Sequence, residues 1–233
     1  MKKIIFLTLI FCAAFLFSCA KNTEEGKKEL IKEEATAETI CKIEEDAVSS
    51  LAKEDFLLPL DEYSWEREYT PEYIMLHFTS AVVLDKSNPY DMERIRGIFE
   101  ESKVSINYII ARDGEITCYI PENRCAWHAG KGSYNGIEKL TDAMNRYSIG
   151  IEIVAVGSEK DMSPYFTKSE YYEIDNSLIG FTDAQYEALI PLLEDICKRN
   201  SLPFDREHII GHEEYKEAKT DPGELFDWER LFR

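Results

Sequence analysis

A mixed α/β domain, one central sheet flanked by helices, is the fold class this chain predicts. Three features carry that reading: short apolar runs with strand periodicity, helical stripes set between them, and an aspartate-glycine turn joining two strands. In order, YIMLHFT at 73–79 is an apolar run entered through Thr70-Pro71, the expected first strand, with His77 near its end. Asn88 is placed to cap a helix with Pro89 at its first position, and Met92, Ile95 and Phe99 then share one face. Residues 104–110 read as a second strand, turned by Arg112-Asp113-Gly114 into a third at 115–120. Residues 148–156 form the most apolar strand. Alternation puts Ile149, Ile151 and Ile153 on one side and Gly150, Glu152 and Val154 on the other. Thr182 and Gln185 make a capping box for a helix striped by Tyr186, Leu189, Leu193 and Ile196, with Pro191 expected to kink it. Residues 208–212 read as a last short strand.

The chain has 233 residues, 44% hydrophobic and 12% aromatic, enough for one domain with a sizeable core plus extras. Its 45 acidic against 27 basic residues give a formal charge of -18, and the body carries no basic patch. That balance excludes a nucleic-acid partner, whose phosphates demand the opposite sign.

The first residues, MKKIIFLTLIFCAAFLFSCA, join a basic start to an apolar run from residue 4 to 17, shorter than the roughly 18 residues a membrane-spanning helix needs. This is an export signal. It ends in Leu16-Phe17-Ser18-Cys19, which resembles a bacterial lipobox, with Cys19 as the lipid-modified first residue of the mature chain. An ordinary signal peptide or an uncleaved anchor is the alternative. The expected division is a lipoprotein signal at 1–18, a lipidated N-terminus and charged tether at 19–55, and the folded domain at 56–233. The lysine-, glutamate- and alanine-rich stretch from Lys21 has the composition of a solvated spacer. The expected location is the cell envelope on the periplasmic side, held to the membrane by the N-terminal lipid. Ala20 stands where aspartate would favour inner-membrane retention, so the outer membrane is preferred.

Removing Cys12 with the signal and lipidating Cys19 leaves Cys41, Cys118, Cys125 and Cys197 in an oxidising compartment. Four thiols allow three pairings. Cys118 with Cys125 is the first expected pair, and free buried thiols are the alternative.

The segment GHEEYKEAKTDPG at 211–223 brings His212, Lys219 and Asp221 close together, and upstream strands supply His77 and Glu152. Pro222 pushes Asp221 toward extended backbone, where residues 219 and 221 project to one side. His77, His212 and Asp221 meet the requirement of a catalytic zinc for three protein ligands and one open position. Glu152 is a carboxylate in a core strand, where burial raises a pKa toward the range useful for moving protons. Each residue also has a plainer reading. His77 can be a hydrogen-bonded strand-end residue, Glu152 the partner of a buried cation, and Lys219 a solvated surface lysine. His208 and His212 would align on a helix, but the β-branched pair between them argues for a strand and leaves His208 structural.

Taken in order, LHFT, VSINYIIARDGEI, AWHAG, SIGIEI, FTDAQYEAL, IIGHE and AKTDPG resemble the type 2 N-acetylmuramoyl-L-alanine amidases, zinc amidases related to phage lysozyme-type amidases and peptidoglycan recognition proteins. The resemblance covers roughly residues 69–232. It implies Zn2+ held by His77, His212 and Asp221, and peptidoglycan or muropeptides as substrate. It also implies that Glu152 takes a proton from the attacking water and returns it to the departing L-alanine amine, while Lys219 steadies the tetrahedral intermediate. Lysozyme-type members use a strand tyrosine where this chain has Ile106, which places it in the glutamate branch. Trp127 and His128 of AWHAG match substrate-groove residues, and Arg146 is a candidate partner for a stem-peptide carboxylate. The aromatic stretch 164–172 is long for a connection and is expected to line the groove. Asn107 departs from the family's usual histidine at that position, and the stretch from His212 to Asp221 is one residue short. The implied protein is a monomeric hydrolase cutting between muramic acid and L-alanine. Its rivals are a non-catalytic peptidoglycan-binding protein and an accessory lipoprotein with a relic site.

Overall fold

Strand alternation and two opposed helices organise the chain around one sheet. The structure is a computed structural model and describes residues 47–54 and 58–233. Expectations for the signal, for Cys19 and Cys41, and for most of the tether lie outside the described residues. Among the described residues no helix is long and apolar enough to cross a membrane.

The strands are β1 (Lys53–Glu54), β2 (Ser64–Glu66), β3 (Tyr73–Thr79), β4 (Tyr108–Ile110), β5 (Ile116–Cys118), β6 (Arg124–Ala126), β7 (Ser148–Val154) and β8 (Ile209–Gly211). Six of them form a mixed sheet in the order β1-β5-β4-β7-β3-β8, antiparallel only between β4 and β5. β2 and β6 pair antiparallel in a separate ribbon. The helices are α1 (Leu60–Tyr63), α2 (Met92–Ser102), α3 (Met144–Tyr147), α4 (Lys168–Tyr171), α5 (Asp183–Asn200), α6 (His212–Tyr215) and α7 (Trp228–Leu231).

Alternation sorts the sheet into two faces. Ile74, Leu76, Tyr108, Ile110, Ile149, Ile151 and Ile153 point to one side and bury against Tyr186, Leu189, Leu193 and Ile196 of α5. This is the main core, and it uses the stripe expected for α5 with the Thr182/Gln185 capping box in place. α5 is continuous across Pro191. On the opposite face α2 buries Ile95 and Phe99 against Ile106, Ile109 and Val154, while Met75 and Ile210 pack on Leu140 and Met144. His77 and Glu152 take the α2-facing side by the same period of two.

Several boundaries differ from expectation. α2 starts at Met92 and is capped by Asp91, whose carboxylate accepts from the Glu93 and Arg94 N–H groups. Asn88-Pro89 belong instead to the preceding turn, where the Pro89 carbonyl accepts from the Ala81 N–H. The second strand begins only at Tyr108, because the Ser105 N–H is spent on the Trp127 carbonyl. The Asp113-Gly114 turn forms as expected, with Gly114 at φ 87° and Ile110 facing Ile116 across the hairpin. His212 opens α6 rather than ending β8, so His208 and His212 do not share a helix.

The tether was expected to run to residue 55, yet residues 53 and 54 pair with β5 at the edge of the main sheet. The Ser49 N–H donates to the Tyr108 hydroxyl, and the Glu122 N–H donates to the Ala47 carbonyl. A composition typical of a spacer therefore ends earlier than the charge pattern suggests. Cys125 is a free, buried thiol, so the expected Cys118–Cys125 pairing is not made; Cys197 is likewise free and buried.

Candidate metal centre

The C-terminal ends of β3 and β8, together with the loop after α6, converge on one point. β3 supplies His77 and the residue after β8 supplies His212, both buried. Asp221 enters from the loop, ahead of a cis peptide bond to Pro222. His77 Nδ1 lies 2.7 Å from Asp221 Oδ2 and 3.1 Å from His212 Nδ1, and His212 Nδ1 lies 2.9 Å from the same carboxylate oxygen. Among the described residues these three form the group able to hold a metal ion.

The chemistry of the donors fits a cation. His212 Nε2 is 2.9 Å from the Ala129 carbonyl, which can only accept, so Nε2 carries the ring hydrogen and Nδ1 is a bare lone pair. A bare nitrogen facing a carboxylate oxygen at 2.9 Å is a repulsion that a positive ion relieves. Two imidazoles and one carboxylate are a donor set zinc accepts in catalytic sites. Burial pushes His77 down to about 4, against the opposing contact with Asp221, so the imidazole is neutral and ready to ligate at pH 7.

The cluster opens into a cleft of about 570 Å³. Glu152, Lys219, Thr220 and His128 line it beside the cluster, and Val83, Leu84, Met162 and Tyr165 form an apolar wall. Glu152 is the register partner of His77 on β7. Its Oε2 is buried without a hydrogen-bond partner. Burial first, and Asp221 second, raise its pKa well above the ordinary value, with Lys219 opposing. A buried carboxyl beside the three-donor cluster is suited to accept and return a proton.

Not every expected residue comes to the cleft. His128 does, but as a neighbour of His77, with its Nδ1 2.9 Å from His77 Nε2. Trp127 packs against Trp65 at a centroid distance of 6.2 Å and does not line the cleft. Arg146 is exposed and outside it, and its backbone carbonyl accepts from Arg67. From the stretch 164–172 only Pro164 and Tyr165 line the cleft; Tyr171 is buried, donating to the Gly157 carbonyl. His208 is held by Asp205 and stacks on Tyr73. Asn107 is a buried sheet bridge: its Oδ1 accepts from the Gly150 N–H and its Nδ2 donates to the Ile120 carbonyl.

Sequence reasoning missed Asn145 and Ser148. Asn145 Oδ1 accepts from the backbone N–H groups of both His128 and Ala129. Ser148 Oγ lies 3.2 Å from His128 Nε2. The signal for Ser148 was present, since alternation along β7 places residues 148, 150 and 152 on one face.

Comparison with known proteins agrees with this geometry. The family model for N-acetylmuramoyl-L-alanine amidase matches residues 67–224. The 1,6-anhydro-N-acetylmuramyl-L-alanine amidase AmpD of Enterobacter cloacae is 36% identical over 129 residues, 55% of this chain and 55% of that protein. The chain thus spans about half the length of the curated relatives it matches first. A crystal structure of a selenomethionine AmpD derivative superimposes with a TM-score of 0.56 at 25% identity, over 80% of this chain and 96% of the other. Escherichia coli AmiD, in complex with anhydro-N-acetylmuramic acid-L-Ala-D-γ-Glu-L-Lys, gives 0.53 at 26% identity, over 70% and 57% of the respective chains. Fold, site geometry and family match coincide on the same residues, and the chain belongs to the N-acetylmuramoyl-L-alanine amidase family.

Proposed function

We propose that this protein hydrolyses the amide bond between N-acetylmuramic acid and L-alanine in peptidoglycan or its fragments, in a zinc-dependent reaction serving cell-wall turnover or recycling. The observation that carries the reading is the convergence of His77, His212 and Asp221 beside Glu152 and Lys219 in one cleft. His77, His212 and Asp221 would hold the ion. When bound, zinc supplies Lewis-acid polarisation of the scissile carbonyl.

The chain's own groups do the rest. Glu152 takes a proton from the attacking water and later hands it to the L-alanine amine, so the leaving group departs neutral. Lys219 presents a positive charge from the cleft edge to the developing oxyanion. Val83, Leu84 and Met162 give one side of the cleft an apolar surface against which the substrate can lie. The bound sugar of the E. coli relative is anhydro-N-acetylmuramic acid joined to L-alanine, and muropeptides of that class are the substrate we favour.

The reading includes export, lipid attachment at Cys19, a spacer after it, and a monomer acting at the periplasmic face of the outer membrane. A protein that only binds peptidoglycan is the alternative. The presence of both a third metal donor, Asp221, and a buried carboxyl, Glu152, disfavours it.

Mass analysis of muropeptides incubated with the zinc-loaded protein tests the proposal. Release of free stem peptide by the parent, but not by Asp221→Ala or Glu152→Ala, is the expected result. Tight muropeptide binding without release would favour the recognition reading.

A further inference from the structure

We propose that His128 and Ser148 are positioning residues that lock His77 in the tautomer with a bare Nδ1, through a hydrogen-bond chain anchored on the Met144 carbonyl. The inference rests on the zinc site proposed above and adds two residues to it.

The direction of the chain follows from its far end. The Met144 carbonyl can only accept, so Ser148 Oγ, at 2.8 Å, spends its one hydrogen there. The hydroxyl then has only lone pairs to offer His128 Nε2 at 3.2 Å, and that nitrogen must carry a hydrogen. A neutral imidazole has one N–H, so His128 Nδ1 is bare and accepts from His77 Nε2 at 2.9 Å. That assigns the single ring hydrogen of His77 to Nε2. Its Nδ1 lone pair is left aimed at Asp221 Oδ2 and His212 Nδ1. The reverse polarity would cost the shorter Ser148–Met144 hydrogen bond, at 2.8 Å, to keep the longer one, at 3.2 Å.

The relay is built as well as connected. The backbone N–H groups of His128 and Ala129 both donate to Asn145 Oδ1, fixing where the His128 ring starts. The ring lies over Gly150, where an added Cβ would stand 2.7 Å from His128 Cγ. β7 therefore presents, in order on one face, the serine of the relay, the glycine that makes room for the imidazole, and Glu152. Each proposed histidine ligand thus has its own tautomer lock: a carbonyl for His212, and an imidazole-hydroxyl relay for His77. Groups that fix a ligand's orientation and tautomer contribute roughly 10–100-fold to metal affinity.

The test uses the full chain as parent, His128→Ala, His128→Asn and Ser148→Ala at neutral pH. Long-range nitrogen-proton NMR of the metal-free proteins reads the His77 tautomer, and competition with a chromophoric chelator reads zinc affinity. The parent is expected to show a single Nε2–H tautomer at His77. His128→Ala should give a tautomer mixture and bind zinc about 10–100-fold more weakly, and Ser148→Ala should move both readouts the same way by a smaller factor. His128→Asn, whose Oδ1 can take the place of Nδ1, should restore most of the affinity. A parent His77 carrying its hydrogen on Nδ1 would overturn the proposal. So would an unchanged His77 tautomer, with zinc affinity within about twofold of the parent, in folded Ser148→Ala and His128→Ala proteins. Because the tautomer is read without metal and no turnover is measured, a failure of the hydrolase reading stays distinguishable from a failure of this one.

Discussion

His77 on β3 and Glu152 on β7 stand side by side as register partners of adjacent parallel strands. The spacing between the proposed metal donor and the proposed proton-transfer group is therefore set by a hydrogen-bonded ladder rather than by a loop. A ladder holds such a distance with little freedom, which is what a near-attack geometry needs.

Because Glu152 lines the cleft but is not one of the three grouped donors, Glu152→Gln should leave zinc stoichiometry unchanged and lower turnover by about 10²–10⁴-fold. Metal analysis of the purified variant beside a muropeptide assay checks both halves. Loss of bound zinc would instead make Glu152 a ligand.

Gly150 should not tolerate a methyl group. An added Cβ would sit 2.6 Å from Ile106 Cδ1 and 2.7 Å from the His128 ring, in a strand buried on both sides. Overpacking of this kind costs about 1–3 kcal/mol, so urea denaturation of Gly150→Ala should show a lower midpoint. Zinc affinity should fall as well, because the ring that must move is the one bonded to His77.

Acid should weaken the metal-free protein through His77. Burial holds its folded pKa at about 4, while the unfolded chain takes up the proton near the ordinary 6.5. Between those values the unfolded state binds more protons, so His77's contribution to stability falls as pH drops from 6.5 to 4 and is flat above 6.5. His77→Asn lacks this titration. The stability difference between metal-free parent and variant, from denaturant midpoints across that window, should move against the parent on acidification.

Cys197 should resist alkylation in the folded state. Burial, followed by the nearby Asp205 charge, pushes its thiol up to about 11. Cys125 is raised from its usual value, again mainly by burial. Both should react with iodoacetamide at neutral pH only as fast as the protein opens, with urea restoring ordinary rates; rapid labelling of the native protein would contradict this.

Periodicity was enough to place the main core; the candidate metal donors were legible from the 211–223 segment and the family resemblance. The alternating isoleucines of β7 and the stripe of α5 are strong signals because each buries a continuous face. The cluster of His212, Lys219 and Asp221 was legible because nearly all of it lies within one loop. What stayed hidden depends on contacts distant in sequence. His128 read as a groove residue because nothing local says that its ring reaches back to His77, 51 positions earlier. Trp127 and Arg146 sat in suggestive motifs, but their side chains leave the cleft to others. The Asn88 cap lost to Asp91 because two good capping residues stood three apart, and only the turn with Ala81 decides between them.

The short edge strand β1 sets a condition on proteolysis. Glu122 is a buried hub: it accepts from the Tyr108 hydroxyl, from Arg199 and from Asn200, while its own N–H holds the Ala47 carbonyl. A protease cutting between residues 54 and 58 would sever β1, and with it the Ala47 carbonyl that Glu122 holds, from the rest of the chain. Cleavage upstream of residue 47 would leave both the β1 pairing and the Glu122–Ala47 contact in place.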